Sequence, residues 1–245
     1  MKKFLGILFL LILIAAGVCA YFFPGIPYYY KCTHDLEFTE NIWEEAPKNL
    51  PDLTDGYGEY STDEVRVTAW NDMEAQRSSS KDQIIWENID NGHFISIYTE
   101  QISESSDFLD MTGITHSALD ADCKDAEKTT PENNYEFVKL VASITMKDFD
   151  IHSYKNSKTF YKIMKIKSEE FYTGENFPIK FYPVDGVGYR GYLLSGVGPD
   201  GDHGYENYAI INVYPEKDKH TRYIITLSVT DWNEVLAIAE SIKLK

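Results

Sequence analysis

The richest local supply of oxygen ligands is a glycine-bearing stretch in which Asp200, Asp202 and Glu206 fall close together, with Gly201 and Gly204 allowing tight curvature. Carboxylates spaced in this way suit a hard cation such as calcium, provided further ligands arrive from elsewhere. The same residue types also end strands as solvated turns. Immediately upstream, Gly196-Val197-Gly198-Pro199-Asp200-Gly201 has the spacing of a dinucleotide-binding glycine motif. That motif delivers a pyrophosphate to a helix N-terminus, whereas a proline, two aspartates and a strand pattern follow here, so the stretch reads as an interstrand loop. Asp120, Asp122 and Asp125 do not make a helix-loop-helix calcium site, because Lys124 takes a ligand position and Pro131 stands where the bidentate glutamate belongs.

His34, His93, His116, His152, His203 and His220 lack the i, i+4 pairing of a helical zinc site. There is no Gly-x-Ser-x-Gly elbow and no phosphate-cradling loop ending in Gly-Lys-Ser/Thr. No catalytic residue and no cofactor are therefore assigned, although catalytic groups can converge from distant positions. Tyr182, Tyr189, Tyr192, Tyr205, Tyr208, Tyr214 and Tyr223 crowd the C-terminal strands. An exposed row of them would stack on sugar rings or a partner protein, and a buried row would simply pack a pleated surface.

The elements that must carry these residues begin with a membrane question. Lys2 and Lys3 precede an uncharged run from Phe4 to Phe23, after which Pro24 and Gly25 break the pattern. At about 1.5 Å per residue such a run covers a hydrocarbon core of about 30 Å. Three fates fit it: retention as an anchor, favoured by length; cleavage after Ala20, where Val18-Cys19-Ala20 offers modest side chains; and lipidation of Cys19. The leading lysines place the N-terminus in the cytoplasm and the remainder outside, either anchored or secreted after cleavage. All 39 acidic residues and all but two of the 23 basic ones lie beyond Phe23, which leaves that part strongly acidic. Such a surface repels phosphate backbones, so nucleic acid is excluded as a partner and a cation or basic protein is favoured. Cys32 and Cys123 are the only cysteine pair beyond the apolar run. An oxidising compartment would let them form a disulfide, and geometry that holds them apart would leave two separate thiols.

Residues 24–31, with two prolines and three tyrosines, read as a juxtamembrane linker leading into a domain over 32–245 that could divide near 130. Residues 46–63 read as a surface loop. Alternation of Val65, Val67 and Ala69 with polar neighbours gives a half-buried strand over 64–71. Runs 83–89 and 93–102, parted by Asp90-Asn91-Gly92, form a β-hairpin. The acidic stretch 103–129 reads as a loop with one short helix. Thr130-Pro131 opens a helix whose Tyr135, Val138, Val141 and Ala142 share a face. A second helix runs from 156 or 157 to about Phe171, with Lys167 on its apolar side snorkelling to water. Strands follow over 179–184, 189–195, 205–214 and 221–230. Asp231 caps a final helix, with Glu234 placed to return a bond to the cap, and Val235, Ile238, Ala239 and Ile242 form its buried stripe. The expected class is α+β, an antiparallel sheet with flanking helices preceded by one N-terminal transmembrane or signal helix.

The closing strand, acidic cap and Ala239-Glu240-Ser241-Ile242 resemble the end of several uncharacterised bacterial exported domains, some with a PsbP-like sandwich of sheet and helices. The resemblance spans at most Ile179 to Lys245 and implies a shape and an exported setting, without an activity. Together these readings lead to a membrane-tethered, non-enzymatic module that binds a protein or cell-envelope ligand. The alternative is an exported hydrolase that uses carboxylates as acid and base, assisted by calcium at the Asp200 loop.

Overall fold

The computed structural model describes residues 2–38, 42–45, 47–78, 80–102, 116–125, 129–171, 179–197, 208–218 and 220–245. Its organising element is an antiparallel sheet of seven strands in the order β3-β4-β5-β9-β8-β7-β6. These are β3 (Glu74–Gln76), β4 (Gln83–Asn88), β5 (His93–Gln101), β6 (Lys180–Pro183), β7 (Tyr189–Val197), β8 (Tyr208–Pro215) and β9 (Thr221–Ser228). The hairpin forms with Asn88 opposite His93, and Gly92 takes a φ of 70°, the left-handed value that the Asp90-Asn91-Gly92 turn requires. Because β5 pairs with β9, one sheet is built from both sides of residue 130, and the chain does not divide there.

One face of the sheet meets a second, three-stranded sheet of β1 (Tyr57–Ser61), β2 (Val65–Trp70) and β10 (Lys243–Leu244), together with a C-terminal helix over Trp232–Glu240. Val65, Val67 and Ala69 of β2, Ile225 and Leu227 of β9, and Val235 and Ile238 of that helix are buried in one cluster. The strand β1 lies inside the stretch expected to be a loop. Its Gly58 and polar Glu59 and Ser61 hide the alternation, and pairing with β2 supplies the order.

In chain order the helices are α1 (Lys2–Phe22), α2 (Ile26–Asp35), α3 (His116–Asp125), α4 (Asn134–Ser143), α5 (Tyr154–Phe171) and α6, the C-terminal helix named above, and α2 to α5 form the layer on the other face. Tyr135, Val138 and Ala142 of α4 pack on Phe181 and Tyr192 of the sheet, while Phe137 and Val141 turn outward to Phe160 and Ile163 of α5. Ile42 and Glu44 bond the backbone of Phe181, so residues 42–44 cover the sheet edge at β6.

Several expectations need correction. The linker stretch is helical: α2 accommodates Pro27 in its first turn, where a missing N–H costs nothing, and Cys32 is buried against the body. The helix expected from Thr130 starts at Asn134, because the Asn133 side chain accepts from Glu136 N at 2.9 Å, while Thr130 donates to Asp120 at 2.9 Å instead. Lys167 does not snorkel. It is 1% exposed and its ammonium donates to Ile144 O at 2.7 Å and Ala142 O at 3.2 Å, at the C-terminal end of α4 where carbonyls lack helical partners. Asp231 does cap α6, accepting from Asn233 N at 2.8 Å and Glu234 N at 3.3 Å. Glu234, however, accepts from Tyr57 Oη at 2.9 Å and Thr230 Oγ1 at 3.3 Å, and so ties the helix start to β1.

Candidate functional site

A concavity of about 430 Å³ opens where the start of α4 faces the ends of β7, β8 and β9. This is within the size range of small-ligand pockets. Asn133 and Glu136 fix the α4 end, since Glu136 Oε2 also accepts from Glu132 N at 2.9 Å. Tyr135 projects from the same turn into the wall. Burial, aided by the charge of nearby Asp185, pushes its phenol up to about 12, so it stays a neutral hydrogen-bonding group.

The opposite wall comes from Arg190 of β7, Tyr214 and Glu216 at the end of β8, and Asp218 and His220 in the turn before β9. That turn is held by its own acid. Asp218 accepts from Thr221 Oγ1 at 2.7 Å and from His220 N at 3.0 Å, and these bonds hold its carboxyl below the usual 3.8. Behind the wall, Arg222 forms an ion pair with Glu100. Carboxylates outnumber cations in the lining, with Glu132, Glu136, Glu216 and Asp218 set against Arg190. Aromatic walls with an acidic excess suit a ligand that carries positive charge.

A second constellation lies at the far end of the sheet. His93 Nδ1 sits 2.8 and 3.0 Å from the two oxygens of Asp72, and the imidazole stacks on Trp70 at 4.5 Å with an interplanar angle of 6°. Asn91 Nδ2 and Asn88 Nδ2 donate to the same carboxylate at 2.5 and 3.2 Å. Partial burial raises the Asp72 carboxyl, but the bonds from Asn91 and His93 outweigh it and leave the group below 3.8. A carboxylate at Nδ1 orients an imidazole and selects its tautomer, as general bases require. No group of three histidine, cysteine or acidic residues placed to hold a metal occurs among the described residues.

The calcium candidates Asp200, Asp202 and Glu206 lie outside the described residues, as does most of the glycine-rich loop. Cys32 of α2 and Cys123 of α3 are both buried in the helical cluster, with no S–S bond between them. Burial pushes the Cys32 thiol up to about 12, away from the reactive thiolate. The tyrosines of the C-terminal strands are not an exposed row: Tyr189, Tyr192, Tyr208 and Tyr223 are buried, Tyr182 and Tyr214 are half-buried, and Tyr205 lies outside the described residues. Sequence reasoning missed both real clusters because their members come from separate elements. Only the hairpin that carries Asn88, Asn91 and His93 was readable in advance, and its meeting with Asp72 was not.

No protein-family model matches the chain, and no curated protein matches it in sequence. Among the described residues, fold and site define an α+β body behind one helix long and apolar enough to cross a membrane.

Proposed function

We propose that the protein is a membrane-anchored extracytoplasmic module that binds a cationic ligand, an amine of the cell envelope or a basic segment of a protein, in the cleft at the start of α4. The observation that carries this reading is the cleft itself: aromatic walls from Tyr135 and Tyr214 and a rim in which carboxylates exceed cations. The apolar run Phe4–Phe22 of α1, none of which is buried against the body, supports the anchor. The resemblance of the C-terminal third to PsbP-like exported domains is in keeping with the same setting. Titration calorimetry of the full chain with a lysine tetrapeptide should give salt-sensitive binding that the Glu132→Gln/Glu216→Gln double variant loses. Equal heats with a glutamate tetrapeptide, or none with either, would refute it.

One observation favours the hydrolase alternative, namely the oriented Asp72–His93 pair. If that reading holds, a broad esterase and glycosidase screen will show turnover that His93→Ala abolishes. Calcium that shifts neither the melting temperature nor the turnover would remove a metal-assisted version.

A further inference from the structure

We infer that the cleft takes a zwitterion and not a bare cation: a carboxylate seated on Arg190, joined through a short apolar stem to an ammonium seated on Glu216 or Glu132. The inference rests on the cationic reading of this cleft and adds the anionic half of the ligand.

Sheet register sets the spacing of the two recognition points. Arg190 of β7 stands directly opposite Tyr214 of β8, and residues opposed in an antiparallel pair share a face. That face is the one under α4, since Tyr192, two residues from Arg190, packs there with Tyr135 and Tyr214. Glu216 N donates to Gly188 O at 2.9 Å, which carries the ladder one step past Pro215 and sets Glu216 diagonal to Arg190 on the cleft wall. Diagonal neighbours on such a pair lie about 7–8 Å apart. A stem the length of a lysine side chain spans that interval, with Tyr135 and Tyr214 available to cover its methylenes.

The state of Arg190 is what points to a second charge on the ligand. Arg66 pairs with Glu59 and Arg222 with Glu100, whereas Arg190 forms no ion pair among the described residues, although carboxylates crowd the same wall. Two of those carboxylates are committed to the backbone, because Glu136 accepts from Glu132 N at 2.9 Å and Asp218 from His220 N at 3.0 Å. Asp185, which acts on the Tyr135 phenol together with Arg190, engages the Tyr135 hydroxyl. Glu132 and Glu216 are exposed and can receive an ammonium, and the exposed Arg190 offers a planar fork that matches a carboxylate. In a chain of formal net charge −16, a cleft that bound cations alone would gain nothing from an arginine in its wall, since that charge repels the ligand. A ligand with its own carboxylate turns the same residue into a binding group.

The test is titration calorimetry of the full chain in micelles with tetralysine as the free acid, tetralysine as the C-terminal amide, and free L-lysine. The free acid should bind about tenfold tighter than the amide, the low end for a charge-assisted pair. Charge alone predicts the reverse order, because the amide carries the larger net positive charge. Arg190→Met should bring the acid down to the level of the amide and leave the amide unchanged. Arg190→Lys, which keeps the charge without the fork, should retain part of the preference. Melting temperatures control for damage to the fold, and the comparison of acid with amide in the parent needs no variant. Free lysine that binds as tightly as the peptide acid makes the ligand a free basic amino acid, whereas a need for the peptide makes it a basic C-terminus; either supports the inference. Equal affinities for acid and amide in the parent, or an acid preference that Arg190→Met leaves intact, would overturn it while the cationic reading stands. Absence of binding by all three probes would instead defeat the cationic reading itself.

Discussion

Replacing Lys167 by methionine removes an ammonium from the interior while keeping most of the stem. Two carbonyls feel the loss, but unequally, because Ala142 O also accepts from Ile42 N at 3.2 Å, while Ile144 O takes the shorter lysine bond at 2.7 Å. Orphaning a buried acceptor costs about 1–3 kcal/mol, and hydrogen bonds to charged groups contribute about 1.5–3 kcal/mol each. Opposing this, a methionine avoids the desolvation of a charge, which is several kcal/mol at full burial. Because the ammonium is the group that satisfies the end of α4, the net effect should be a loss of about 2 kcal/mol. Lys167→Ala should lose about 2–3 kcal/mol more, since three further methylenes at about 0.8 kcal/mol each leave the space between α4 and α5. Urea unfolding of the full chain in micelles, followed by the fluorescence of its four tryptophans, measures both variants. A methionine variant as stable as the parent would show that the carbonyl contacts return no more than the burial of the charge consumes, and that the cap assigned to Lys167 is wrong.

Other perturbations probe the remaining joints. Asp72 has a folded pKa below its ordinary 3.8, so its contribution is fully present above that value and should fade as the pH falls below it. Asp72→Asn should melt lower at neutral pH and lose part of this acid dependence, and a variant that keeps the parent's acid profile would contradict the assignment. Gly25→Ala forces a methyl into Ser157 and should destabilise by about 1–3 kcal/mol, read as a lower melting temperature and faster hydrogen exchange at residues 151–157. Asp231→Ala removes the α6 cap at a cost of about 1 kcal/mol, while Tyr57→Phe releases Glu234 and should cost about the same, both measurable by thermal unfolding.

Local chemistry made a good part of the fold legible beforehand. The hairpin over 83–101 needed only isoleucine and aromatic runs around a turn that tolerates positive φ, and α6 needed only an acidic cap before a periodic apolar stripe. The alternation of β9 puts Tyr223, Ile225 and Leu227 in the core and leaves Arg222 and Thr226 less buried, but Ser228, whose polarity argues for the same wetter face, is buried because its hydroxyl accepts from Phe94 N at 3.0 Å. Residues 57–61 and 26–31 were misjudged because their order comes from what they pack against: a sheet partner for β1 and the helical layer for α2. Gly58 and Pro27 argue locally for loop.

Composition and local pattern alone determine that a long uncharged leader precedes a strongly acidic α+β body, since charge, hydrophobic period and turn chemistry are written residue by residue. Tertiary structure alone decides that Tyr135, Arg190, Glu216 and His220 share a cleft, that Asp72 meets His93, and that Lys167 serves the end of another helix. These are meetings across strands and helices distant in sequence, set by register and packing, and no spacing along the chain encodes them.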